Sequence, residues 1–299
     1  MGRGSLFPGR LGLAESRVPH ADRHGLLWLV RGNLYVQEGT LRFLAAASDL
    51  FEPGDYAIPY QAVSMILMGP GTTVSHDALR ILARHGTLLA AVGEGGVKLY
   101  TAPPMGQGRS EVARAHARLW ADEKARLDVA RRMYAFRFGE VLPHRDITVL
   151  RGIEGGRVKA LYRTCAERYR IPWRGRRYDR QNPGANDIPN QALNHAATFV
   201  EAAADIAVAA VGALPPLGFV HEDSSNAFTL DIADLWRGEL TVPLAFSVAR
   251  RVLDDPDLVL EREIRFTAAG WFRKKKLIPA MIDRIKELLH VDDDRGGDS

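Results

Sequence analysis

The chain changes character once, around Pro103, Pro104, Gly106 and Gly108, and that break limits what it can fold into. Before it, short apolar segments at Leu26–Val30, Leu34–Gln37, Leu41–Ala45 and Val63–Met68 alternate with Gly, Pro or acidic residues, the pattern of strands. One helix interrupts them. Ser75 can cap it, Leu79, Ile81 and Leu82 give it a buried side, and Gly86 stops it. Leu88–Val92 and Val97–Tyr100 flank Gly93-Glu94-Gly95-Gly96. That cluster lacks the Lys-Ser/Thr of a phosphate-binding loop, so a hairpin turn is expected. After the break, Val112, Ala115 and Leu119, then Leu127, Ala130, Met133 and Tyr134, recur at helical spacing. Further helices are expected at 149–170, 189–212, 229–236, 242–253 and 261–289. The expected class is α+β: a small β-rich domain over 26–102, then a larger all-helical domain over 110–290. Residues 1–25 form an extension before the first strand, and 291–299 an acidic tail.

At 299 residues the chain can bury a full core. Its formal charge is only +4, but it is unevenly placed. From Arg109 to Arg180 there are 19 Lys and Arg against 9 Asp and Glu, a net of +10, which leaves −6 for the remainder. Such a segment suits a polyanion, because neutralising phosphates releases counterions; the alternative is a set of solvated, Arg-rich helix faces. Cys165 is the only cysteine, which excludes an intrachain disulfide and fits a reducing cytoplasm. The first 25 residues carry no apolar core of a signal peptide, and no apolar run approaches the roughly 18 residues that span a bilayer.

Three places carry acids or imidazole with chemistry in prospect. Asp231 and Asp234, three apart, share a helix face, and two carboxylates that close repel unless a cation or base lies between them. A solvated face or a cap is the alternative, weakened by apolar Ile232, Leu235 and Trp236. Glu154 is bracketed by Gly152, Gly155 and Gly156, so many glycines suggesting a helix start or a close backbone approach to a neighbour or ligand; a first-turn Glu favouring the helix dipole is the alternative. His221 ends the apolar run Leu217-Gly218-Phe219-Val220, where a hydrogen-bonded structural role competes with ligation. Carboxylates and an imidazole are ligands for Mg²⁺ or Mn²⁺, and such an ion can stabilise charge on a phosphodiester under attack.

The wording around these residues resembles one family. Arg-Gly-Ile-Glu-Gly at 151–155, Gly-Phe-Val-His at 218–221 and Asp-Ile-Ala-Asp at 231–234 occur in the order and approximate spacing of the CRISPR-associated integrase/endonuclease called "Cas-one". Gly175-Arg176-Arg177-Tyr178-Asp179, the Gly93–Tyr100 stretch and Phe136-Arg137-Phe138-Gly139-Glu140 resemble its type I-E form, so the resemblance spans roughly 25–290. It implies a β-rich N-terminal domain and a helical catalytic domain. It implies that Glu154, His221 and Asp234 bind the metal, Mg²⁺ or Mn²⁺, with Asp231 as supporting carboxylate. One departure concerns Glu222–Asn226, which carries two acids and no Lys where relatives often place a basic residue near the phosphates.

The family reaction is attack by the 3′ hydroxyl of a foreign double-stranded DNA fragment on a phosphodiester at the border of a CRISPR repeat. Expected backbone contacts are Lys98, Arg157, Lys159, Arg174, Arg176, Arg177 and Tyr178, with the run Arg273–Lys276 either a further contact or a solvated helix end. The resemblance also implies homodimers that flank a dimer of a small partner, "Cas-two", in a heterohexamer. Two competing functions keep parts of this pattern. A stand-alone structure-specific nuclease for branched DNA needs the same metal site without the partner, and a non-catalytic nucleic-acid binder needs neither.

Overall fold

In a computed structural model, the described residues are 25–48, 50–101, 110–144, 146–177 and 186–291. The linker glycines and prolines at 103–108, the extension up to residue 24, Tyr178 and the tail from residue 292 lie outside them. The first half contains β1 (Gly25–Leu29), β2 (Gly32–Gln37), β3 (Thr40–Ala45), β4 (Gly54–Ala57), β5 (Val63–Met68), β6 (Thr72–Val74), α1 (His76–His85) and β7 (Leu88–Ala91). The second contains α2 (Glu111–Ala121), α3 (Glu123–Phe138), α4 (Ile147–Arg168), α5 (Ile188–Val211), α6 (Ala227–Leu235), α7 (Val242–Asp254), α8 (Leu260–Lys275) and α9 (Leu277–Leu289). The chain is α+β, strands first and helices after.

The strands form two sheets. β1, β5 and β7 make a parallel sheet with β5 in the middle. β4, β3, β2 and β6 make a second sheet, antiparallel except where β6 runs beside β2. Val63-Ser64-Met65-Ile66-Leu67 of β5 is buried without alternation, because both faces of this sheet are covered. From Met65 onward alternation survives in what each face meets. Met65 and Leu67 point into the core of the helices, while Ile66 joins the core under the second sheet with Phe43 and Leu41; Val63, before a shift in register with β1, joins that second core too. The three-stranded sheet is therefore a wall shared by two cores.

Helix α5 is the axis of the second half and packs on α6, α7, α8 and α9. Its buried face is largely alanine (Ala196, Ala203, Ala204, Ala207), which lets neighbouring helices approach closely. Helices α3, α4 and α6 carry the candidate site; α6 packs on this axis, α3 touches α4 and α6, and α4 packs on α7. Among the described residues, no helix is long and apolar enough to cross a membrane.

Several sequence expectations shift. Ser75 caps α1 by accepting from the Ala78 amide, and Gly86 ends it with a left-handed backbone. The buried face, however, is Ala78 and Leu82, four apart, and Leu79 is exposed. The hairpin at 93–96 is a short 3₁₀ turn whose second arm makes a single bridge, Val92 to Leu99. The helix expected over 261–289 is two helices, broken at Lys276, which adopts a left-handed backbone. Pro279, in the first turn of α9, marks that break, since it has no N–H to give the Lys275 carbonyl, although the apolar periodicity runs past it.

The turn at 93–96 also docks the strand half onto α8. Gly95 has a φ of 63°, and a Cβ there would stand 2.3 Å from the Ala269 Cβ. Gly139 has a similar φ of 71° with no other atom within 4 Å of a Cβ. Alanine at either position meets the left-handed penalty of about 1–2 kcal/mol, but only Gly95→Ala also overpacks. In urea unfolding, Gly95→Ala is expected to lose about 1–3 kcal/mol more than Gly139→Ala; equal losses would mean that the turn is not pressed against α8.

Candidate active site

Asp146 fixes the start of α4, its carboxylate accepting from the Thr148 amide. Glu154 therefore sits in the body of a 22-residue helix rather than at its start. A Cβ at Gly152, Gly155 or Gly156 would meet nothing within 4 Å, so these glycines permit no close approach within the chain either. The helix start, the approach to a neighbour and the first-turn alternative all fail here, and the three glycines leave this stretch of α4 backbone uncovered by the described residues. Leu150, Tyr162, Cys165 and Ala166 are buried, and this packing keeps α4 continuous despite the glycines.

His221 follows a loop that Asp231 organises. The Asp231 carboxylate is fully buried and accepts from the backbone amides of Phe219 (2.5 Å), Val220 (3.0 Å) and His221 (2.9 Å). Its Oδ1 also lies 2.7 Å from His221 Nδ1. Nδ1 then carries the proton toward Asp231, and Nε2 faces Asp234 Oδ2 at 4.0 Å. The hydrogen bond to Asp231 raises the His221 pKa, outweighing the opposite effect of burial. The imidazole lies between the two aspartates, which answers the repulsion that a solvated face would otherwise relieve. The loop is tight before it reaches them: a Cβ on Gly218 would stand 2.2 Å from the His221 carbonyl oxygen.

Glu154 and Asp234 meet through cations that sequence reasoning missed. Arg137, at the end of α3, places Nη1 2.7 Å from Glu154 Oε1 and 3.6 Å from Asp234 Oδ2. Arg237 pairs with Asp234 from the π-helical turn Arg237–Thr241 that joins α6 to α7. Burial works against the Arg237 charge, but Asp234, then Tyr162 and Glu154, outweigh it and hold its pKa above the usual arginine value. Tyr134 donates to Glu154 Oε2 at 3.0 Å. Burial first, then the Glu154 charge, pushes the tyrosine pKa upward and keeps it a donor. Glu201 on α5 adds a further acid, its pKa raised by burial and by the charges of Asp234 and Asp205. Arg237, three residues past Asp234, was legible from spacing alone; Arg137 lay inside a quoted stretch with no local signal of its partner.

The donor types of Glu154, His221 and Asp234 fit Mg²⁺ or Mn²⁺. Among the described residues, no three His, Cys, Asp or Glu side chains already stand close enough to hold an ion. The point between Glu154 and Asp234 is filled by a guanidinium nitrogen, a cation standing among these donors.

The predicted DNA-contact residues divide. Lys159 and Arg176 line a groove of about 900 Å³ with Arg163, Arg170, Tyr162 and Trp173. Arg174 and Arg177 are exposed beside it on the segment after α4. Arg176 is held by Asn190 and Asn194. Arg157 instead pairs with Glu140 and lies over the Phe138 ring, and Lys98 stands 3.5 Å from Glu261. In Arg273–Lys276, Lys275 pairs with Glu239 at 2.6 Å and Lys276 is the α8 break. The acids at 222–226 also have a use: Glu222 is held by Arg126 at 2.8 Å and Arg151 at 3.4 Å.

On the far side of the loop, α2 clamps it. His116 Nε2 lies 2.7 Å from the Leu217 carbonyl, and its Nδ1 accepts from the Leu214 amide. Trp120 donates to the Gly218 carbonyl at 2.9 Å. His116 is buried against Phe219 and Phe228, and burial pushes its pKa down to about 4.

These features define a class: an α+β protein with an acid–imidazole site carried by three helices and the loop before one of them, beside a basic groove. Residues 136–261 match the family model for CRISPR associated protein Cas1. The chain is 37% identical over 273 residues to the CRISPR-associated endonuclease Cas1 of Escherichia coli (strain K12), covering 91% of this chain and 87% of that protein. Its identity to the corresponding Geobacter sulfurreducens protein is 35%, covering 91% and 86%. The crystal structure of a TtCas1–DNA complex superposes with a TM-score of 0.80 at 30% identity, over 94% of this chain and 100% of that one. The chain belongs to the Cas1 family, and its likeness to the E. coli protein fits the type I-E form.

His116 gives the site a pH prediction. Its pKa is about 4 folded against 6.5 ordinarily, so the unfolded chain binds the extra proton between these values. Stability is then full above about pH 6.5 and falls toward pH 4, by about 3 kcal/mol from this group. His116→Gln is expected to flatten that part of the urea-midpoint profile; an unchanged slope would mean that His116 is not buried neutral.

Proposed function

We propose that this chain is a metal-dependent DNA integrase and endonuclease of CRISPR adaptation, which inserts foreign DNA fragments into the repeat array. The observation that carries this is the convergence of Glu154, His221 and Asp234, from α4, a loop and α6, with Asp231 fixing the imidazole. The endonuclease names of the relatives and the DNA complex of TtCas1 support it.

Glu154, His221 and Asp234 would hold Mg²⁺ or Mn²⁺, which when bound supplies positive charge for a scissile phosphodiester. Asp231 keeps the His221 proton on Nδ1, so that Nε2 presents a lone pair to the site. Because the same bond favours the protonated ring, proton and metal compete for Nε2. The groove at Lys159, Arg163, Arg170 and Arg176 would hold backbone phosphates without reading sequence. Little covalent chemistry falls to the protein, whose contribution is positioning the 3′ hydroxyl of the fragment against the repeat border. With water in place of that hydroxyl the same site would cleave DNA. Insertion of two fragment ends suits a homodimer that assembles with the small partner Cas-two into a heterohexamer, working in the cytoplasm.

The test is joining of a labelled, 3′-hydroxyl-ended duplex to a supercoiled plasmid carrying the repeat array, with partner and Mg²⁺ or Mn²⁺ supplied. Wild type is expected to give joined product, and Glu154→Ala and His221→Ala at least about 100-fold less. Asp231→Asn should lose about 10–100-fold through the misplaced imidazole. Equal joining by the Glu154 and His221 variants would sink the site assignment. Cutting without joining in the presence of partner would favour the stand-alone nuclease.

A further inference from the structure

Arg137 is where the charge in this site is least expected. Its side chain is 7% exposed, and one nitrogen, Nη1, serves both Glu154 (2.7 Å) and Asp234 (3.6 Å), the latter 4.0 Å from His221 Nε2. Its other terminal nitrogen, Nη2, is buried and finds no hydrogen-bond partner among the described residues. A buried guanidinium normally uses its fork, two parallel bonds to one carboxylate. Here it spends one nitrogen on two carboxylates from different helices and leaves a second unused. That geometry follows where the acids converge and not what the guanidinium itself prefers.

Mg²⁺ and Mn²⁺ take oxygen ligands at about 2.1 Å. Nη1 stands well outside that distance from both carboxylates, so an ion must draw Glu154 and Asp234 inward past the place Nη1 fills. A divalent ion and a guanidinium cannot share one point in a site this poorly hydrated, because their repulsion rises as the dielectric falls. Tyr134 and Arg237 do not face this conflict. Each touches one carboxylate, on Glu154 Oε2 and Asp234 Oδ1, and leaves the oxygens turned toward Nη1.

We infer that Arg137 is a resident counter-ion of the metal-free site, which holds Glu154 and Asp234 together and is displaced when the divalent ion binds. It is a positioning residue with two opposed effects. Without metal it stabilises two buried carboxylates on α4 and α6 that would otherwise repel. With metal it competes, and so sets how much ion is needed to load the site. The inference rests on the metal-dependent function proposed above. It adds that the ion's affinity is set by an arginine outside the ligand set.

The experiment measures Mn²⁺ binding by calorimetry, and thermal unfolding with and without Mn²⁺, on the full chain. The proteins are wild type, Arg137→Met, Arg137→Lys and Glu154→Ala. Arg137→Met keeps the aliphatic bulk and removes the charge. It is expected to bind Mn²⁺ about tenfold tighter than wild type, to melt lower without metal, and to gain more from Mn²⁺. Arg137→Lys, which keeps one charge on a shorter reach, should fall between the two in both respects and covers the case in which Arg137→Met does not fold. A purely structural role for Arg137 would lower the metal-free melting point without tightening Mn²⁺ binding. Binding to wild type that Glu154→Ala removes, but that both Arg137 variants leave unchanged or weaken, overturns the inference alone. Absence of Mn²⁺ binding in wild type and in every Arg137 variant overturns the metal-dependent function as well.

Discussion

One buried carboxylate holds the site together. Asp231 has no exposed surface on its side chain, and a charge so placed is costly unless its lone pairs are used. Three successive amides, of Phe219, Val220 and His221, and the His221 ring supply the bonds. The same contacts that make the burial tolerable bend the 219–221 backbone around one point and choose the imidazole tautomer. Because Asp231 lies on α6, the loop is tied to the helix that carries Asp234 one turn later. His116 and Trp120 on α2 pin the loop's other end through the Leu217 and Gly218 carbonyls. The position of His221 Nε2 thus depends on backbone atoms held from two sides, which is a firmer constraint than side-chain packing alone.

Charge is the second constraint. Glu154, Asp234 and Glu201 bring three carboxyls toward one small volume, and Arg137, Arg237 and Tyr134 answer them. Some arginines of the 109–180 segment are therefore spent on ion pairs. Arg137 holds Glu154 and Arg157 holds Glu140, both acids of the same segment, while Arg126 and Arg151 hold Glu222, which lies outside it. The groove beside α4 keeps another share, with Lys159, Arg163, Arg170 and Arg176 along it and Glu167 the one acid among its lining residues. A net charge counted over one segment overstates what a polyanion meets where an acid from outside it, such as Glu222, pairs with its arginines.

The elements were largely legible, because helix and strand periods are local. The Ala-rich stretch Ala202–Ala210, interrupted by Asp205, reads as packed helix, and it lies in the C-terminal half of α5. Two local expectations failed. Lys276 interrupts an apolar pattern that runs from α8 to α9, and the breaker is Pro279 three residues further on, which cannot donate to the Lys275 carbonyl in one continuous helix. Leu79 was placed inward by hydrophobicity, but α1 offers Ala78 and Leu82 to the core, and a small residue at the contact lets the helix sit closer to the sheet.

The site divides along the same line. The Asp231–Asp234 spacing places two carboxylates on one helix face, a costly pair unless a base or cation lies between them, and His221 takes that place from ten residues away. What spacing cannot carry is which oxygen each partner takes. Asp231 turns wholly to the loop amides and Asp234 to arginines, so two acids of identical type and near-identical context have unlike electrostatic surroundings. Arg137 shows the limit most clearly. Seventeen residues separate it from Glu154 and ninety-seven from Asp234, and its flanking Phe136 and Phe138 say nothing of either partner. Only the crossing of α3 with α4 and α6 decides that this arginine, and not its neighbours, ends between two acids. The residues that a metal would need were written in the sequence, whereas the residue that occupies their meeting point was set by the packing of helices.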